Sequence, residues 1–177
     1  MSLETARSAV AEFGAEYVSI GGGEPTLHPL FWQILMETAA KVEGVWLATN
    51  GSQTETALAL AKLAQKGTIG CDLSQDEYHD PIDPRVVRAF NRDPRPSHGP
   101  SPDLRGVRNV GGNEINGGRC DFGESGCVCN DLLVRPDGTV RGCGCEDAPA
   151  FGNVNTGVDV PGGWEWGECH KDQESAA

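Results

Sequence analysis

The first part of the chain switches between two hydrophobic periods. Leu3, Ala6, Val10 and Phe13 recur at helical spacing and predict a helix over 3–13, with Gly14 as its stop. Glu16 to Ile20 reads as a strand. From Pro29 to about Glu43 the spacing is helical again, with the proline early, where its missing N–H costs little. Val45 to Thr49 reads as a second strand, ending in Asn50-Gly51. Ser52-Gln53-Thr54-Glu55 has the form of a capping box and opens a helix to Lys66, with Gly67 as its stop. Thr68 to Leu73 predicts a third strand, and Asp83-Pro84 starts a short helix to about Asn91. Helix alternating with strand predicts an α/β fold of parallel βαβ units with right-handed crossovers.

After residue 91 the pattern breaks. Pro94, Pro96, Pro100 and Pro102 interrupt any regular element, so 93–105 reads as a linker or lid, with a weak strand over Gly106 to Val110. A cysteine-rich part starts at Gly117. It holds a β-hairpin, Asp131 to Arg135 and Thr139 to Arg141, joined through Pro136-Asp137-Gly138. Trp164 and Trp166 are expected to pack on that hairpin. The expected division is 1–116, 117–160 and a tail over 161–177.

Charge narrows the function classes. A net charge of -12 over 177 residues argues against nucleic-acid binding through phosphates and against an anionic membrane surface. No apolar stretch approaches the roughly 18 residues that span a bilayer. Met1-Ser2-Leu3-Glu4 lacks the basic start of a secretory signal, which predicts a soluble, cytoplasmic protein.

The chain has 7 cysteines, an odd number, and Cys127-Val128-Cys129 and Cys143-Gly144-Cys145 form pairs. Without a secretory signal, metal binding is a better reading than a disulfide framework. The hairpin would bring the two pairs together. With Cys120 these thiolates suit zinc or an iron–sulfur cluster, and free buried thiols are the plain alternative. Cys71 reads as core and Cys169 as tail.

The loops that follow the strands carry the other chemistry. In parallel α/β architectures the C-terminal strand ends form the site. Here those ends hold Gly22-Gly23-Glu24, Asn50-Gly51 and Ser74-Gln75-Asp76. Glycines let a ligand approach the backbone, and a carboxylate adds fixed charge. Together they suit an amino-acid moiety. A tight turn in which Glu24 only caps the next helix is the structural alternative. His79-Asp80 reads as a solvated turn in preference to a substrate group.

The longer string Gly21-Gly22-Gly23-Glu24-Pro25-Thr26-Leu27-His28-Pro29 resembles the Gly-Gly-Glu-Pro segment of the radical S-adenosylmethionine enzymes. Leu47-Ala48-Thr49-Asn50-Gly51-Ser52 is similar to that family's third strand, and Cys71 to Pro81 to its fourth. Gly117 to Gly123 is similar to a late barrel segment. The resemblance implies a partial (β/α) barrel over 1–116, with Gly22, Gly23 and Glu24 on the methionine end of S-adenosylmethionine. It places Asn50 at the Thr-Asn-Gly end of a strand and points to Ser74 near the ribose. The run from Cys127 through Gly138 to Cys143 resembles the SPASM and twitch modules of peptide-modifying members. That implies an auxiliary [4Fe-4S] cluster, or zinc, on Cys120, Cys127, Cys129, Cys143 and Cys145, and a peptide or protein substrate.

One departure is large. The family's Cys-x3-Cys-x2-Cys loop is absent, and the first cysteine is Cys71. A late start, a split gene or a degenerate remnant each accounts for this. The isolated chain is therefore expected to be inactive, with no catalytic residue assigned, and its exposed parallel edge awaits a missing segment or a partner chain. The rival expectation is a non-catalytic zinc- or iron–sulfur-binding remnant that serves as an interaction protein.

Overall fold

The computed structural model describes residues 1–75, 80–91, 103–108, 132–142, 144, 148–162 and 164. They fall into two compact units, one of Gly14–Asn113 and one of Met1–Phe13 with Glu114–Ala177.

The first unit is a parallel α/β sheet. Its strands are β1 (Tyr17–Ile20), β2 (Gly44–Thr49), β3 (Gly70–Ser74) and β4 (Arg105–Arg108), in the order β1-β2-β3-β4 and all parallel. The order never reverses, so right-handed crossovers put the connecting helices on one face. That face is the core. Val45 and Leu47 on β2 and Cys71 and Leu73 on β3 are buried under three helices. Helix α2 (Phe31–Ala39) contributes Phe31 and Leu35, and α3 (Thr54–Gln65) contributes Ala57, Leu60, Ala61 and Ala64. Helix α4 (Pro84–Phe90) contributes Val86 and Phe90. Each set follows the helical repeat that turns one stripe inward.

Two local expectations needed correction. The helix expected from Pro29 begins at Phe31, and a separate 3-10 turn covers Pro25–Leu27. Pro29 disfavours helical dihedrals in the residue before it, and His28 is extended at φ -72 and ψ 129, which parts the two elements. The capping box also fails to form. The N-cap of α3 is Gln53, without a side-chain cap bond, and the Ser52 N–H, which the box would pair with Glu55, donates to Asn50 Oδ1 at 2.9 Å. Asp83 does cap α4, its carboxylate accepting from the Arg85 N–H at 2.8 Å. Hydrogen bonds from Arg85 hold the Asp83 carboxyl below its usual range. The stop at Gly67 has its own pattern. The Thr68 N–H reaches the Leu63 carbonyl, the Gly67 N–H reaches that of Ala64, and Gly67 takes φ +73.

The second unit is an antiparallel sheet, β5 (Leu133–Val134), β6 (Thr139–Arg141), β7 (Ala150–Asn153) and β8 (Gly157–Val158), paired in chain order. The unit also takes α1 (Leu3–Phe13). Val140, Phe151 and Val154 form its buried centre, with Ala9 and Phe13 of α1 packed against them. Trp164 lies edge-on to Phe151, with ring centroids 4.7 Å apart.

Candidate functional site

The site is built on the C-terminal ends of β1 and β2. The chain leaves β1 through Gly21, Gly22 and Gly23 and returns through Glu24. Gly22 and Gly23 have φ +89 and +48, a region that side chains with a Cβ rarely adopt. Among the described residues beyond the chain neighbours, no atom stands within 4 Å of where a Cβ would sit on either residue, so their main chain is open to approach there.

Glu24 turns back toward the sheet. Its Oε1 accepts the Thr26 N–H at 3.1 Å, the Thr26 hydroxyl at 2.6 Å and the Thr49 hydroxyl at 3.0 Å. Its Oε2 accepts the Asn50 N–H at 2.6 Å. The carboxylate therefore caps the 3-10 turn and ties two neighbouring strand ends together. Of the residues singled out in the sequence, Gly22, Gly23, Glu24 and Asn50 meet here. Asn50 uses Oδ1 for Ser52 and its N–H for Glu24. Gly51 follows at φ +73, with its Cβ position crowded by Ile82, Leu73 and Val86.

Ser74 ends β3, one residue beyond the Thr49–Leu73 pairing, and is buried at 8% exposure. Register puts it on the next strand end. Asp76 and His79 lie outside the described residues, as do Cys120, Cys127, Cys129, Cys143 and Cys145. Among the described residues no group of three or more His, Cys, Asp or Glu side chains could hold a metal ion. Cys71 lies in the core, as its strand pattern implied.

Two features escaped the sequence reading. The first is the pair Thr26 and Thr49, which anchor Glu24. Thr49 shares the inward face of β2 with Val45 and Leu47 and is 1% exposed. A buried hydroxyl needs a partner, so the alternation along β2 already posed the question that Glu24 answers. The second is the sheet face opposite the helices. Register aligns Tyr17 with Gly44, Trp46 with Gly70 and Asp72 with Gly106, and each larger side chain lies over its neighbouring glycine. The guanidinium of Arg108 stands 5.8 Å from the Trp46 ring centroid, a cation–π distance. This face carries aromatic and charged groups where the other carries aliphatic ones. Partial burial, with Asp72 nearby, raises the Tyr17 phenol above its ordinary value.

Burial, followed by the charges of Asp72 and Glu24, pushes the Cys71 thiol up to about 12. The native state thus keeps a proton that the unfolded chain releases near its ordinary value of 9.0. This contribution is fully present below that value and is lost as pH rises from there toward 12, at up to about 1.4 kcal/mol per pH unit. Urea midpoints at about pH 8 and about pH 10 should fall more steeply for wild type than for Cys71→Ala. Equal alkaline losses in both would show that Cys71 does not carry the effect.

No helix among the described residues is long and apolar enough to cross a membrane. No family model matches the chain, and no solved structure is a significant match. Curated proteins do match in part. Over 60 residues the chain is 40% identical to the mycofactocin maturase MftC of Mycobacterium ulcerans, covering 34% of this chain and 16% of that protein. Maturases of the same name from Mycobacterium tuberculosis and Mycolicibacterium smegmatis are 38% and 40% identical over 60 residues, 15% of the length of each. The chain thus matches less than a fifth of the length of these relatives.

Proposed function

We propose that the chain is part of a radical S-adenosylmethionine enzyme and that the rim of its parallel sheet holds the methionine end of S-adenosylmethionine. The observation that carries this reading is the open glycine turn at Gly22-Gly23, fastened through Glu24 to the end of the next parallel strand. The likeness to the mycofactocin maturases supports the same superfamily. The unreversed strand order is that of a barrel segment, which supports a partial (β/α) barrel. In such a barrel the face with Trp46, Asp72 and Arg108 would be the inner wall.

The geometry fits a zwitterionic ligand. The exposed main chain of Gly22 and Gly23 would meet its amino and carboxylate groups, and Asn50 and Ser74, on the next strand ends, would border the ribose. Together with a reduced [4Fe-4S] cluster, S-adenosylmethionine supplies radical chemistry that removes a hydrogen atom from a substrate, here a peptide or protein. The ligands of that cluster would come from a further segment or a partner chain lying beside β1. Cys120, Cys127, Cys129, Cys143 and Cys145 would hold a second, auxiliary centre.

A second reading draws on the same carboxylate. Glu24 already caps a turn, as it would in a non-catalytic, zinc-stapled remnant. Metal content decides between the two. Anaerobic reconstitution should give about four irons and four sulfides per chain, as a cubane cluster requires. Both should be lost in the Cys143→Ala/Cys145→Ala variant. One zinc without sulfide would favour the structural reading.

A further inference from the structure

We propose that Asn50-Gly51 is a guarded deamidation site: the folded rim keeps this step from converting to aspartate and isoaspartate, and the Thr49 hydroxyl holds the guard. The guard acts whatever the chain binds. An asparagine followed by glycine is chemically labile, because no side chain shields the glycine nitrogen. The Gly51 nitrogen loses its proton and attacks Asn50 Cγ. The new C–N bond closes a succinimide as the Cγ–Nδ2 bond breaks and ammonia leaves. Water then opens the ring to aspartate or isoaspartate. The fold leaves no other residue for position 51. Gly51 sits at φ +73, and a Cβ on it would stand 2.9 Å from Ile82 Cγ2.

Both reacting groups are held. The Gly51 N–H donates to the buried Thr49 hydroxyl at 3.1 Å. That hydroxyl in turn donates to Glu24 Oε1 at 3.0 Å. A hydroxyl has one proton to give and lone pairs with which to accept, so Thr49 serves both bonds at once. The carboxylate at the end of this relay polarises it, which strengthens the hold on the Gly51 N–H and makes loss of its proton harder. On the other side, Asn50 Oδ1 accepts the Ser52 N–H at 2.9 Å, and the Asn50 N–H donates to Glu24 Oε2 at 2.6 Å. Ring closure has to turn the Gly51 nitrogen toward Asn50 Cγ. That breaks the Thr49 bond and rotates a peptide buried beside Ile82, Leu73 and Val86. Conversion would add a negative charge beside Glu24, and isoaspartate would add a methylene to the main chain between β2 and α3.

The test follows the full chain at mildly alkaline pH by peptide mapping, with aspartate and isoaspartate scored at position 50 and folding checked by circular dichroism. Folded wild type should deamidate there at least about tenfold more slowly than the same chain in guanidinium, because reaction awaits local opening. Thr49→Val keeps the shape and removes the hydroxyl. It should speed deamidation of the folded chain by about tenfold, the scale of one hydrogen bond, and Thr49→Ser should match wild type. Leu60→Ala opens a cavity under α3 and leaves the loop's hydrogen bonds in place, so Asn50 should stay as slow as in wild type. Equal rates for folded and unfolded wild type, or for Thr49→Val and wild type, would overturn the inference. So would a Leu60→Ala rate that matches Thr49→Val, since general loosening then accounts for the gain. Should Thr49→Val fail to fold, Glu24→Gln removes the charge behind the hydroxyl. Asn50 should then convert several-fold faster than in wild type, and an unchanged rate overturns the guard.

Discussion

Valine in place of Gly51 is expected to destabilise the parallel unit by about 3 kcal/mol or more, the largest effect of any single rim substitution. Two costs add. Gly51 sits at φ +73, where a β-branched residue is strained by about 1–3 kcal/mol. Its Cβ would also stand 2.9 Å from Ile82 Cγ2, 3.1 Å from Leu73 Cδ1 and 3.3 Å from Val86 Cγ1. Those neighbours are core atoms, and overpacking them costs about 1–3 kcal/mol. Urea unfolding of the full chain measures the sum. A loss below about 1 kcal/mol would mean that the turn after β2 is not held as described. Gly22→Val is the instructive contrast. It shares the positive φ and meets no neighbour among the described residues, so only the strain remains.

The second large effect is expected at Leu47. It is fully buried at the centre of β2, with Ile20 and Cys71 as its register partners on either side. Leu47→Ala should cost about 2–5 kcal/mol, through lost burial and the cavity left behind. Val107 on β4 is 45% exposed, and Val107→Ala should stay within about 1 kcal/mol. The contrast matters for the site because β2 carries Thr49 and Asn50 at its end. A loosened β2 would release the partners of Glu24. If the two variants melt alike, Leu47 is not packed in a core that Val107, on the edge strand of the same face, lacks.

The local signals in the sequence were good where they were strong. The helix over 3–13, the strand ending at Thr49 and the stop at Gly67 all stand within a residue or so of their expected bounds. Each rests on a hydrophobic period or a glycine requirement that acts within a few residues. What the sequence left unread is long-range. Glu24 and Thr49 are 25 residues apart, and only strand register makes them neighbours. The rows that place Tyr17, Trp46 and Asp72 over Gly44, Gly70 and Gly106 come from register as well. Two local signals also competed and one lost. Asn50 took the Ser52 N–H, and a motif with the letters of a capping box never closed. The place of α1 in the unit of the antiparallel sheet could not be foreseen, since an amphipathic helix does not name the surface it will cover. The cysteines of the second module fall outside the described residues, and their metal site stays an expectation of the sequence.

The central claim is that the Gly22-Gly23 turn holds S-adenosylmethionine, and equilibrium titration of the full chain with S-adenosylmethionine tests it most directly. Wild type should bind saturably at one site, and Gly22→Val should bind at least about tenfold more weakly, because its side chain fills the space from which the main chain is reached. Its stability should fall by the backbone strain alone, about 1–3 kcal/mol, and by less than that of Gly51→Val. No binding by wild type, or equal binding by the two proteins, would contradict the account.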